Sequence, residues 1–89
     1  MDTRDAKAAA AFAARCEESR AILRREMEAA GLFERDGWRI IETTRPGRSG
    51  LELVMRPVHL RLPSPPDMQC VVWIQEDGSD VGSECSPGL

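Results

Sequence analysis

The hydrophobic and polar positions of the first third of the chain repeat with the period of an α-helix. Apolar or small side chains recur three or four positions apart and fall on one stripe of a helix, at Ala8, Ala9, Phe12, Cys16, Ser19, Leu23, Met27 and Ala30. Residues 3–30 contain neither proline nor glycine, and Gly31 suits the left-handed position that ends a helix. The pattern therefore predicts a helix over residues 3–30.

This predicted helix is longer than a strand that could pack beneath it. A helix over residues 3–30 would span about 42 Å, whereas a typical strand spans about 17–20 Å. We expect the alanine-rich start, residues 6–14, to extend beyond the sheet, where it would fray or pack on a second copy of the chain.

The next segment changes to the two-residue period of a strand. Residues 38–45 are β-branched and aromatic, residues 46–50 form a turn by composition, and apolar side chains alternate over residues 51–56. After Pro57 the apolar positions change parity to Val58, Leu60 and Leu62. The change predicts a bulge or break at Pro57, with the proline on an edge of the sheet.

A second pair of strands is predicted further along. Residues 70–74 form the most apolar run, Asp77-Gly78 is a hairpin signal, and residues 81–85 could return as a short final strand. The chain is thus expected to be α+β, with one long N-terminal helix packed on a three- or four-stranded antiparallel β-meander over residues 37–85. Residues 86–89 are expected to be a disordered tail.

The strand over residues 70–74 is apolar on both of its faces. Such a pattern is typical of a strand buried on both sides, but a single helix covers only one face of a sheet. Either Val71 and Trp73 or the alternate set must therefore face something outside this helix. The pattern predicts self-association or binding of a protein partner.

Length and composition limit the class of protein. The chain of 89 residues suffices for a single domain, residues 1–89, and carries a net charge of −3. It contains no apolar run long enough to cross a bilayer and no secretory signal, so we expect no membrane association. Three cysteines without CxxC spacing favour reduced thiols in the cytoplasm.

Charge is unevenly distributed along the chain. Residues 35–61 hold six arginines against three carboxylates, whereas residues 62–89 hold five acidic side chains and no basic one. Arginine recognises phosphates and carboxylates through its planar guanidinium. The candidate contacts are Arg39, Arg45, Arg48 and Arg56, with Arg61 beyond them. Glu42 and Glu52 could instead neutralise them within the chain, and the acidic total opposes dedicated DNA binding.

Catalytic and metal-binding patterns are weak. His59 alternates with Arg61 along a predicted strand and has no orienting partner in the pattern, while Cys16 and Cys70 lie at apolar positions. Cys85 lies near acidic residues and could form an intermolecular disulfide. The acidic positions 76, 77, 80 and 84 do not match a calcium loop. The sequence predicts neither an enzyme nor a cofactor, metal or small-molecule substrate.

Two functional hypotheses result. The leading one is a non-enzymatic protein–protein interaction module, expected to be a homodimer or to bind an unidentified protein, with Val71 and Trp73 at the centre of its contact surface. The alternative is an accessory protein that binds nucleic acid through the arginine-rich hairpin, residues 39–61.

Overall fold

A computed structural model describes residues 3–47, 50–63, 68–75 and 80–86. A helix, α1 (Thr3–Ala29), is followed by one 3-10 turn, η1 (Glu34–Asp36). Four strands come next: β1 (Trp38–Pro46), β2 (Gly50–His59), β3 (Gln69–Gln75) and β4 (Val81–Ser86). Strands adjacent in sequence pair antiparallel in the order β1-β2-β3-β4. The predicted α+β meander is confirmed, with four strands.

Helix α1 ends in a Schellman motif at Gly31. This glycine has φ of 81°, and its N–H donates to the Glu28 carbonyl at 3.1 Å. The Leu32 N–H donates to the Met27 carbonyl at 2.8 Å. The Leu32 side chain then packs against the core, so the end of the helix also fixes the start of the loop towards β1.

The core lies between one stripe of α1 and one face of the sheet. Cys16, Ser19, Leu23 and Met27 are buried along the helix. They meet sheet and loop residues that are also buried: Trp38, Met55, Met68, Cys70 and Val72. The helix runs mainly over β3 and β4 and touches β2 less. Along residues 6–14 only Ala8 and Phe12 are partly covered, but Phe12 packs against the core, so the exposed start of the helix is shorter than the expected overhang.

Strand β2 runs without a bulge, so the predicted break at Pro57 is wrong. Its register with β1 is constant from Trp38↔His59 to Pro46↔Leu51, with Pro57 opposite Ile40. Pro57 is buried and lies on the same face as positions 51, 53 and 55. Val58 is an apolar residue on the opposite face, which gives the sequence the appearance of a change in parity. The edge prediction is confirmed locally, because β3 pairs only with residues 50–55 of β2.

The last strand is longer than expected. Residue Ser86 belongs to β4 and pairs with Gln69, so the predicted disordered tail is wrong at this position. The rest of that tail, residues 87–89, lies outside the described residues. No helix in the described part of the chain has the length and apolarity needed to cross a membrane.

Candidate interaction surface

The two faces of the sheet differ in what covers them. Cys70 and Val72 are fully buried beneath α1, and Glu42 binds Arg20 of the helix, with a distance of 2.8 Å from Arg20 Nε to Glu42 Oε1. Because side chains alternate along a strand and directly paired residues share a face, these contacts assign every strand position to a face. The opposite surface, here called the helix-free face, carries Arg39, Ile41, Thr43, Arg45, Glu52, Val54, Arg56, Val58, Val71, Trp73, Gly82 and Glu84.

The middle of the helix-free face is apolar. Val54 lies opposite Val71, and Trp73 lies two residues further along β3, opposite Glu52. Val54 is 8% exposed, Val71 and Trp73 are half-buried, and Ile41 on β1 is 41% exposed. Of the two alternatives that the sequence leaves open, Val71 and Trp73 are the pair that faces away from the helix, although neighbouring side chains cover part of each.

Trp73 is partly covered because its indole lies across Gly82, its partner on β4. A Cβ placed on Gly82 would lie 2.3 Å from Trp73 Cζ2, so only glycine leaves room for the ring in this position. The indole thus spreads along the sheet surface and widens the apolar area towards β4.

Three arginines of the predicted hairpin share this face with Trp73. Arg39 and Arg45 project from β1 and Arg56 from β2, all with exposed side chains. Arg48 lies outside the described residues, and Arg61 follows β2 and is exposed. The sequence did not relate the arginines to Trp73, because their common face depends on the register of β1 with β2 and of β2 with β3.

Two of these arginines have partners within the chain. Arg39 Nη1 donates to the carbonyls of Glu34 at 2.8 Å and Trp38 at 2.7 Å. Arg45 Nε lies 3.2 Å from Glu52 Oε2, as expected from the sequence. Glu42, the other expected partner, binds Arg20 of α1 instead. Within the part of the chain that the structure describes, Arg56 forms no ion pair.

His59 closes the end of the β1–β2 hairpin. Its Nε2 lies 2.7 Å from the Asp36 carbonyl, and its Nδ1 accepts the Arg61 N–H at 3.0 Å. These partners assign the neutral tautomer with the proton on Nε2. The ring also packs edge-on against Trp38, with centroids 5.1 Å apart. Both nitrogens are therefore occupied in a structural role, and the side chain is half-buried rather than projecting outward as a strand residue.

Cys70 and Cys85 are joined by a disulfide, which corrects the interpretation of both as reduced thiols and of Cys85 as an intermolecular site. The two residues are directly opposite each other in the β3–β4 pair and lie on the helix side, beside the Ser19 carbonyl. A two-residue turn at Asp77-Gly78 would have predicted this pairing, since it places position 70 opposite position 85. Cys16 is the one free cysteine; burial raises the pKa of its thiol, with Arg20 opposing and Glu42 adding to that effect.

The helix side carries a surface cleft of about 370 Å³ between the end of α1 and β1. Its lining combines apolar side chains with Arg24 and Glu34, which lie 3.9 Å apart. The remaining lining residues are Met27, Glu28, Leu32, Phe33 and Ile40. Over the described residues no three metal-ligating side chains lie together, and positions 76 and 77 of the predicted acidic cluster lie outside that part.

Comparison with known proteins adds no family. No protein-family model matches the chain. Neither the curated proteins nor the solved structures gave a significant match.

Proposed function

We propose that this chain is a small, non-enzymatic protein–protein interaction module that self-associates through its helix-free face. The observation that carries the proposal is the apolar strip of Val54, Val71 and Trp73, extended by exposed Ile41, on a sheet face that no described element covers. Sheets in domains commonly bury an apolar face against another layer, and here the second layer would come from another copy.

The energetic basis is burial of apolar surface. Each square ångström of apolar area removed from water contributes about 25 cal/mol, before the cost of association is subtracted. Trp73 and Ile41 offer the larger apolar side chains of this face, and aromatic residues are enriched at the centres of interfaces. The polar positions around the strip would form the rim of the interface.

A matched pair of variants tests this face. Ile41 and Leu51 are 41% and 47% exposed and lie on adjacent strands, but Ile41 is on the helix-free face and Leu51 on the helix side. Ile41→Asp should weaken self-association, measured by sedimentation equilibrium, whereas Leu51→Asp should leave it unchanged. Equal behaviour of the two variants would contradict the assignment of the interface to the helix-free face.

Nucleic-acid binding is the second candidate, favoured by the shared face of Arg39, Arg45, Arg56 and Trp73. A sheet surface that combines arginines with an aromatic ring can bind single strands through phosphate contacts and base stacking. The pairing of Arg45 with Glu52 and of Arg39 with backbone carbonyls ranks this candidate second. A salt titration against single-stranded RNA tests it, because phosphate contacts must weaken steeply with salt.

The cytoplasmic location predicted from the sequence remains a prediction, and the Cys70–Cys85 disulfide bears on it. Such a bond persists in oxidising compartments, whereas the cytosol of most cells keeps such pairs reduced. Alkylation in cells lysed directly into denaturant, which exposes the buried Cys16 and Cys70, followed by mass spectrometry, would count the free thiols. Three modified cysteines would favour the cytoplasm, and Cys16 alone would favour an oxidising compartment.

A further inference from the structure

The charges of the helix-free face are separated between its two edges. Arg39 and Arg45 project from β1 and Arg56 from β2, whereas exposed Glu84 is the charged residue of this face on β4. Glu84, like Arg56, forms no ion pair with any other described residue. Glu52 of β2 also lies on this face but is paired with Arg45. Strands β1 and β2 therefore carry a net positive charge on this face, β4 carries a negative one, and the apolar Val71 and Trp73 of β3 lie between them.

A two-fold dimer that stacks this face on itself has two limiting orientations. An axis running across the strands sets β1 against β1 of the second copy, so the arginines would oppose each other. An axis running along the strands sets β1 against β4, and β2 against β3. Both orientations keep the strands of the two sheets aligned, as packed sheets prefer. Only the second brings the basic edge of each copy to the acidic edge of the other.

We propose that the partner of the helix-free face is a second copy of this chain, related by a two-fold axis parallel to the strands. The proposal rests on the proposed function and adds its geometry. Thr43, Val54, Val71 and Glu84 form one row of directly paired residues across the four strands. The axis stacks this row on its own copy, so Val54 packs on Val71 of the second copy.

The same stacking places Glu84 of each copy over Thr43 of the other. Arg45 and Arg56 occupy the rows on either side of Thr43, within reach of long side chains. Arg45 already binds Glu52, which leaves Arg56 as the arginine available to Glu84 of the second copy.

Charge reversal tests this orientation. Arg56→Glu and Glu84→Arg should each weaken dimerisation about five- to tenfold, the range expected when a partly exposed ion pair becomes a like-charge contact. The double variant should recover the dissociation constant of the unaltered chain. Glu17→Arg is the matched control, because Glu17 is exposed on α1 away from the face and its reversal should change nothing.

The outcomes separate the orientation from the interface itself. Ile41→Asp could weaken the dimer while neither charge reversal changes its dissociation constant, or while the double variant fails to restore that constant. Either result would overturn the two-fold orientation and leave the helix-free face as the interface. A chain that does not self-associate at all would overturn both.

Discussion

The indole of Trp73 lies against Gly82 on the neighbouring strand, so close that a Cβ at position 82 would be 2.3 Å from Trp73 Cζ2. The absence of a side chain at Gly82 is therefore what allows the ring to lie over this position of the helix-free face. This contact determines the shape of the apolar strip on which the proposed interface depends.

Gly82→Ala should displace the indole and destabilise the fold. Overpacking of this kind costs about 1–3 kcal/mol, and the ring must turn towards solvent. Urea unfolding would measure the loss, and the indole N–H resonance of Trp73 would report its new environment. Ser83→Ala, on the other face of β4, is the control that should retain the resonance. An unshifted indole signal in Gly82→Ala would contradict the contact.

Reduction of the Cys70–Cys85 disulfide should lower stability by about 3 kcal/mol, the value expected for closing a loop of this length. The bond joins residues 15 apart and ties the edge strand β4 to β3. Thermal unfolding with and without a phosphine reductant would measure the change. The Cys70→Ser/Cys85→Ser variant should melt at one temperature in both conditions. Equal melting of the oxidised and fully reduced native chains would show that the bond contributes nothing.

The Cys16 thiol should make stability decrease in alkaline solution. Burial raises its pKa above the ordinary value of 9.0, so the folded chain keeps this proton at a pH where the unfolded chain releases it. The stabilisation is complete below pH 9.0 and is lost as pH rises through the higher folded-state pKa. Urea unfolding from pH 8 upwards, compared with Cys16→Ala, isolates this effect. Parallel pH curves for the two chains would refute it.

Gly31→Ala should lower the free energy of unfolding by about 1 kcal/mol through backbone conformation alone. The residue has φ of 81°, and a Cβ there would meet no atom within 4 Å, so steric contact plays no part. Gly31→Asn should cost less, because asparagine tolerates the left-handed region better than alanine. Thermal unfolding of the three chains would rank them, and alanine equal to glycine would contradict this account of the helix end.

Patterns local in sequence were the ones that predicted the fold. The helix stripe through Cys16, Leu23 and Met27 and its end at Gly31 required only neighbouring residues. The prediction fails at Pro57, because the sequence pattern does not distinguish a buried proline within a strand from a break that turns Val58 inward. The chain in fact keeps its register and turns Val58 to the helix-free face.

Contacts that depend on the register between strands cannot be predicted from such local patterns. Arg56 and Trp73 lie on one face only because β2 pairs with β3 in a particular register. The Cys70–Cys85 bond likewise depends on the register of β3 with β4, although a two-residue turn at Asp77-Gly78 would imply that register. The sequence therefore predicts the candidate surface as two separate features, an apolar strand and an arginine hairpin, which the sheet combines.

The most direct test of self-association is the molar mass of the unaltered chain by light scattering over a wide concentration series, with and without reductant. We expect a mass that rises from 9.9 kDa towards twice that value as concentration increases, in both conditions. A constant mass of 9.9 kDa at every concentration would contradict it.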